Sequence, residues 1–226
     1  MAQDKKKKRS FHSANVAVIG LGRFGSALAT ELMNSGHQVL GIDSDDRIVQ
    51  SLSTTLTHVV SADTTDEDNL RELGINDMDS AVVAIGADLE ASILTASLLL
   101  QLGVKQVWAK ANSTSHGRIL SQIGVHHVIF PEYEMGRRVA HQVSGESLDY
   151  VHIDDDFVMV KTYVPQVYEG AVLAEAKIRA TFGVTVVAIN DGNGYKPAFP
   201  DSVLKKGDTI VIAGPKGPLD QFCQLD

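Results

Sequence analysis

Three glycines, an arginine and an aspartate form the chemically most legible group in this chain. Gly20-Leu-Gly22-Arg23-Phe24-Gly25 has the spacing of a phosphate-binding turn between a strand and a helix. In such a turn the first glycine makes the tight bend, the second lets a pyrophosphate approach the backbone, and the third lets helix and strand pack closely. The N–H groups at the start of the helix then face phosphate oxygens. Asp43, 23 residues beyond Gly20, stands where a carboxylate accepts hydrogen bonds from a ribose diol. A carboxylate there repels a 2′-phosphate, which disfavours NADP and leaves NAD, NADH, ADP and ATP open. Arg23 directly follows the glycine pair, so its guanidinium can reach over the phosphates and clamp a terminal one. A solvated arginine at a helix start has the same spacing.

The groups that would turn a dinucleotide site into an enzyme are not legible. A dehydrogenase needs an acid or base facing the nicotinamide, normally on a second domain. The histidines (His12, His37, His58, His116, His126, His127, His141 and His152) fall in no catalytic motif, and His126-His127 reads as a surface or dimer contact. Asp154-Asp155-Asp156 reads as an acidic solvated turn rather than a cation site. There is no nucleophile elbow, P-loop lysine or zinc-binding helix. Cys223 is the only cysteine, so no intrachain disulfide and no cysteine-based zinc site is expected, as in a reducing compartment. The nucleotide site reads as regulatory.

The elements that would carry these residues follow from hydrophobic patterning. Short apolar runs at 15–19, 38–42, 58–61, 80–85, 106–110 and 127–130 alternate with helical stretches. In the first helix Phe24, Leu28 and Leu32 are four apart and Gly36 is the stop; others lie near 44–53, 66–73, 89–102 and 113–122. Continuous apolar strands separated by helices imply a parallel, doubly wound α/β sheet covered on both faces. A helix is expected over 132–147, with Met135, Val139 and Val143 on one stripe. Beyond Tyr150 the pattern changes to a small α+β unit. It has strands at 158–164, 184–189 and 209–213, and one short helix through Ala174, Ile178 and Phe182. A hairpin turn falls at Asp191-Gly192-Asn193-Gly194, and a short terminal helix follows Gly214-Pro215. A unit of that size is marginal alone and is expected to pack on a partner copy.

Composition narrows the classes further. The 226 residues are 44% hydrophobic and carry 20 basic against 28 acidic residues, net −8. Residues 1–10 are net +4, so the remainder is −12 with a short basic arm. An acidic body argues against nucleic acid as a partner, because phosphate binding needs clustered Lys and Arg. No stretch approaches the roughly 20 apolar residues of a membrane span, and no apolar segment of a secretory signal follows the basic arm. A cytoplasmic protein, or one held at a membrane through a partner, is expected.

Several segments together match a known family. The residues Val18-Ile-Gly-Leu-Gly-Arg-Phe-Gly25, Val83-Ala-Ile-Gly-Ala87, Val107-Trp-Ala-Lys-Ala-Asn112 and Pro131-Glu-Tyr-Glu-Met-Gly136 closely resemble the regulatory RCK (KTN) subunits of Ktr-type bacterial potassium transporters. The resemblance covers residues 14–226. It implies a Rossmann-like nucleotide-binding N-lobe over 14–131, a crossover helix over 132–150 and a small C-lobe over 151–226, preceded by a flexible basic arm at 1–13. It implies binding of ATP or ADP, dimers assembling into an octameric ring, and gating of a membrane-embedded potassium channel subunit from the cytoplasmic side. By motif, Arg23 corresponds to a γ-phosphate-sensing arginine, and Asp43, Ser44 and Asp45 to the ribose site. Asp63 and Thr64 correspond to the rim of the adenine. Ile85, Gly86 and Ala87 pass under the nucleotide, and Lys110 and Asn112 line its pocket with His116 nearby. Glu132 corresponds to a glutamate near the γ-phosphate, where Mg2+, Ca2+ or Na+ can bridge carboxylate and phosphate across the dimer; such a cation relieves the repulsion between the two. The resemblance also brings cyclic di-AMP as a C-lobe ligand of some relatives; segments 171–189 and 196–200 keep the prolines but no pattern that maps residue by residue. The competing readings are an NAD(H)-responsive Trk-type regulator and an NAD-dependent oxidoreductase.

Overall fold

A computed structural model of the chain describes residues 13–144, 147–154 and 156–225. The basic run Lys5–Arg9, His12 and Asp155 of the acidic turn lie outside the described residues. The chain divides into two units, the first ending at Pro131 and the second beginning at Glu132.

The first unit alternates strand and helix throughout. In chain order these are β1 (Asn15–Ile19), α1 (Arg23–Asn34), β2 (Gln38–Asp43), α2 (Asp46–Leu52), β3 (His58–Ser61), α3 (Glu67–Glu72), β4 (Ser80–Val83), α4 (Leu89–Gln101), β5 (Val107–Lys110), α5 (Thr114–Gln122) and β6 (His127–Ile129). The strands pair in parallel in the order β3-β2-β1-β4-β5-β6. β1 shows why its sequence reads as an unbroken apolar run. Ala17 and Ile19 enter one core with Leu70, Leu99 and Leu120, while Val16 and Val18 enter another with Ala29 and Leu56 on the opposite face. Both faces are covered, so alternation vanishes. The order reverses between β1 and β4, and at such a point the loops leaving the carboxyl ends diverge and open a crevice. β4 ends at Val83, short of the expected Ile85, because the chain peels away once Ala84 N–H has donated to Ile19 O (2.7 Å).

The second unit begins along α6 (Pro131–Val143), followed by β7 (Asp149–His152), β8 (Phe157–Tyr163), α7 (Leu173–Ala176), α8 (Ile178–Phe182), β9 (Thr185–Asn190), β10 (Tyr195–Pro197), β11 (Thr209–Pro215) and α9 (Lys216–Cys223). The sheet is antiparallel in the order β10-β9-β11-β8-β7. Val158, Val160, Ile210, Ile212, Leu219 and Phe222 form its core.

Two expectations need correction here. The crossover helix read over 132–150 stops at Val143, and Asp149 already pairs with Lys161 across β7 and β8. Tyr150 turns into the core while Val151 is exposed, which is strand periodicity rather than helical. The helix read through Ala174, Ile178 and Phe182 is two helices, broken at Lys177, whose φ of +52° is left-handed. Ala174 is exposed; the break shifts the helical phase so that Ile178 reaches the core. Among the described residues no helix is long and apolar enough to cross a membrane.

Candidate nucleotide-binding site

The phosphate turn sits between β1 and α1, and its three glycines meet three different surroundings. Gly20 has φ +89°, and a Cβ there would stand 2.9 Å from Ile85 N. At Gly25 a Cβ would fall 1.8 Å from Gly20 O and 3.2 Å from Ala84 Cβ, so only glycine lets α1 lie this close to the turn. At Gly22 a Cβ would meet nothing within 4 Å. Gly22 is the N-cap of α1 and has no side-chain cap, so the helix opens with its amide donors facing open space. That is the shape a diphosphate fits: a bare helix N-terminus beside a residue without a side chain.

Asp43, at the end of β2, is tied into the same turn. Leu21 N–H donates to Asp43 Oδ2 (2.7 Å) and Asp45 N–H donates to Oδ1 (2.9 Å). The carboxylate therefore locks the phosphate turn to the β2–α2 loop, and each oxygen keeps a second lone pair for a diol. Ser44 beside it is exposed. Asp45 is the N-cap of α2, accepting from Arg47 N (2.9 Å) and from Arg47 Nη2 (2.8 Å). The hydrogen bonds from Arg47 hold its carboxyl down at about 2, well below the usual carboxylate range.

The other strand ends supply the remaining residues. After β3, Asp63 Oδ1 accepts from Thr65 Oγ1 (2.7 Å) and Thr65 N (2.9 Å), which lowers its pKa. Thr64 is buried, its Oγ1 2.9 Å from Thr95 Oγ1 of α4, and Thr95 Oγ1 also lies 3.2 Å from Thr64 O. After β4, Ile85 and Gly86 are half-buried and Ala87 is exposed. Asn112 Nδ2 donates to Gly86 O, joining the β4 and β5 loops. Lys110 is buried, with Nζ 6.0 Å from the centroid of the half-buried Phe24 ring; a Cβ on Gly86 would stand 3.4 Å from that Nζ. Arg23 is exposed at the first position of α1.

The structure thus brings together, at the carboxyl edge of one sheet, the loops holding Gly20, Gly22, Arg23, Phe24, Gly25, Asp43, Ser44, Asp45, Asp63, Thr64, Ile85, Gly86, Ala87, Lys110 and Asn112. His116 belongs to a deeper layer. It is 1% exposed, and its Nδ1 accepts from Asn112 N (3.3 Å). Burial lowers its pKa, so it is a neutral support under Asn112. Glu132 is an exposed residue in the first turn of α6 and belongs to the second unit. Among the described residues no cluster of three or more His, Cys, Asp or Glu is arranged to hold a metal ion. His126 and His127 are structural: His126 Nδ1 accepts from Val107 N (3.0 Å), and the His127 ring stacks on Trp108 at 3.9 Å.

Two partnerships escape a reading of the sequence. Thr95 is one of three hydroxyl residues in α4, with Ser92 and Ser97, and nothing in the sequence singles it out. Arg47, two residues beyond Asp45, is an exposed arginine in a helix's first turn that no motif singles out.

Comparison with known proteins agrees with this architecture. Residues 16–131 match the TrkA-N domain and residues 165–225 the TrkA-C domain. The Ktr system potassium uptake protein A of Bacillus subtilis (strain 168) is 35% identical over 208 residues, covering 91% of this chain and 94% of that protein. Among solved structures, the GsuK RCK domain superposes with a TM-score of 0.67 at 16% identity, covering 96% of this chain and 48% of that one. The GsuK channel bound to NAD superposes with a TM-score of 0.68 at 17% identity, covering 93% of this chain and 39% of that one. This chain therefore spans half or less of the GsuK chains, and the likeness to them is one of fold. With one TrkA-N and one TrkA-C domain and a Ktr protein as a nearly whole-length relative, the chain belongs to the Ktr-type family of RCK proteins.

Proposed function

We propose that this chain is the nucleotide-binding regulatory subunit of a Ktr-type potassium uptake system, and not an enzyme. The observation that carries the reading is the match to a Ktr potassium uptake protein over 91% of the chain, with the phosphate turn inside it. ATP or ADP is the proposed ligand. Gly20, Gly22 and Gly25 cradle the diphosphate, Asp43 with Ser44 and Asp45 receives the ribose, and Asp63 and Thr64 border the adenine. Ile85 to Ala87, Lys110 and Asn112 form the pocket floor. Copies of the chain dimerise and build an octameric ring on the cytoplasmic face of a membrane-embedded potassium channel subunit.

The adenosine and diphosphate contacts are common to ATP and ADP, so they cannot shift a conformational equilibrium between the two. Only the γ-phosphate differs, and Arg23 together with a cation at Glu132 is the proposed reader. Titration calorimetry of the full chain with ATP, ADP and NADH tests the ligand. Arg23→Ala is expected to keep ADP affinity within about threefold while removing the preference for ATP, a difference of under about 1 kcal/mol for ADP. Equal losses for both nucleotides refute Arg23 as the reader. Asp43 fits the ribose of NAD as well as that of ATP, which keeps an NAD(H)-responsive regulator as the second reading; NADH binding tighter than both adenine nucleotides establishes it. Turnover of NADH with a small carbonyl substrate refutes the non-enzymatic role. Potassium flux through the co-purified membrane subunit, with ATP and then ADP, tests the regulation itself.

A further inference from the structure

The way α6 is fastened to the second unit depends on the protonation of one ring. Arg137 Nη2 lies 2.7 Å from His152 Nε2 and 3.3 Å from Nδ1. One nitrogen this close to both ring nitrogens stands over the face of the imidazole, where a guanidinium stacks, and not along either in-plane lone pair. While the ring is neutral this contact is attractive, a cation on an aromatic face. Protonating the ring sets two cations against each other. We infer that Arg137 and His152 form a pH-sensitive latch, which holds α6 on the second unit's sheet while His152 is neutral and releases it when the ring is charged.

The surroundings favour the neutral ring. Arg137 and His141 face it from α6, Tyr150 from β7, and Lys216 and Asp220 from α9. Two permanent cations thus stand against one carboxylate, and that carboxylate already accepts from Tyr150 OH (3.3 Å). Burial first, then Arg137, lowers the His152 pKa below its ordinary value. A depressed histidine contributes stability that is present above the free value of about 6.5 and lost as pH falls below it. His141 stacks on Tyr150 at 3.9 Å and borders a cavity of about 90 Å³ shared with Asp220 and Ser147. A second tie is independent of histidine: Arg138 reaches Asp149 through Nε (2.7 Å) and Nη2 (2.6 Å). Release is thus a loosening of α6 and not an unfolding of the unit.

Since α6 is the segment joining the two units in sequence, its attachment is a natural control point, whatever ligand the first unit takes. Hydrogen–deuterium exchange of the full chain at pH 7.5 and 5.5, each normalised to intrinsic exchange, tests the latch. Protection of α6 is expected to fall at pH 5.5, by at most about tenfold per pH unit, the limit for one proton. His152→Gln keeps a planar polar group for Arg137 to lie against without a titrating ring, so its α6 is expected to stay protected at both pH values. Arg137→Ala removes the contact throughout, so its α6 is expected to be weakly protected at both. Unchanged wild-type protection overturns the latch. So does a fall that persists in His152→Gln, and one abolished by His141→Gln alone reassigns the sensor and equally overturns it.

Discussion

Gly22→Ala separates the fold of the phosphate turn from its use. The backbone at Gly22 has φ −63° and ψ −167°, extended and open to alanine, and the new methyl meets nothing within 4 Å. Alanine is a poorer N-cap than glycine by about 0.5 kcal/mol. Against that, losing a glycine from the unfolded chain contributes about 0.4–1 kcal/mol. The two effects nearly cancel, so stability should stay within about 0.5 kcal/mol of wild type. The methyl occupies the space a diphosphate must enter, so affinity for ADP should fall about tenfold or more, a change of about 1.4 kcal/mol. Gly25→Ala is the contrast. Its methyl falls 1.8 Å from Gly20 O, so the turn or α1 must shift by more than 1 Å to reach even a 3.0 Å contact. Overpacking of this kind costs about 1–3 kcal/mol, and the fold itself should suffer. Urea denaturation and ADP calorimetry on the same preparations read both quantities. If Gly22→Ala binds ADP as wild type does, the open space above Gly22 is not the phosphate site. If it loses 2 kcal/mol or more of stability, the turn does not tolerate a methyl as its geometry implies.

Two further outcomes follow from particular bonds. Thr95→Val removes the hydroxyl opposite Thr64 and leaves the buried Thr64 Oγ1 unpaired, which should cost about 1–3 kcal/mol in urea denaturation; adding Thr64→Val should recover part of that loss, and an additive double mutant refutes the pairing. Asp149 is held below the usual carboxylate range first by its hydrogen bonds from Arg138, so the stability it contributes is present above the free value of about 3.8 and lost as pH falls through the lower, folded value. The stability gap between wild type and Asp149→Asn should therefore narrow from pH 7 to pH 3, and a constant gap refutes the ion pair.

The first unit was legible because its central strands are covered on both faces, and burial on both sides leaves an uninterrupted apolar run bounded by turn residues. The site was legible at its glycines, where sterics leave one residue type. It was not legible where a residue acts through backbone groups. Asp43 was read as a ribose acceptor, and nothing in the sequence announces that Leu21 N–H and Asp45 N–H both donate to it. His116 was placed near the pocket, yet it lies beneath Asn112 with its ring closed off from solvent. In the second unit, β7 escaped because Tyr150 is its only buried residue, and one buried residue has no period. The α7–α8 break escaped because Ala174, Ile178 and Phe182 imitate a helical stripe, and the left-handed Lys177 that breaks it carries no glycine or proline.

The distribution of fixed and exposed groups around the crevice bears on how such a site can signal. The carboxylates on the proposed ribose and adenine side already hold partners in the protein: Asp43 the turn, Asp45 Arg47, and Asp63 Thr65. Asn112 holds Gly86 O, and Thr64 is locked to Thr95. A cradle braced in this way would accept the proposed adenosine with little reorganisation, and for the same reason would give almost the same answer to ATP and ADP. A ligand that binds two conformations equally shifts neither, however tightly it is held. Moving the balance from 1:99 to 99:1 needs about 5.5 kcal/mol of differential binding. That difference has to come from groups outside the braced cradle, and exposed Arg23 is the cation at the open end of the phosphate turn. One arginine–phosphate contact contributes about 1.5–3 kcal/mol, short of that requirement. A single chain is thus a weak switch, and a full one needs a second contribution of similar size. The proposed cation bridging Glu132 and the phosphate across a dimer would supply it, and so would repetition of the site over several copies of an assembly. The two are separable: removing divalent cations should weaken the ATP preference in the first case and leave it unchanged in the second.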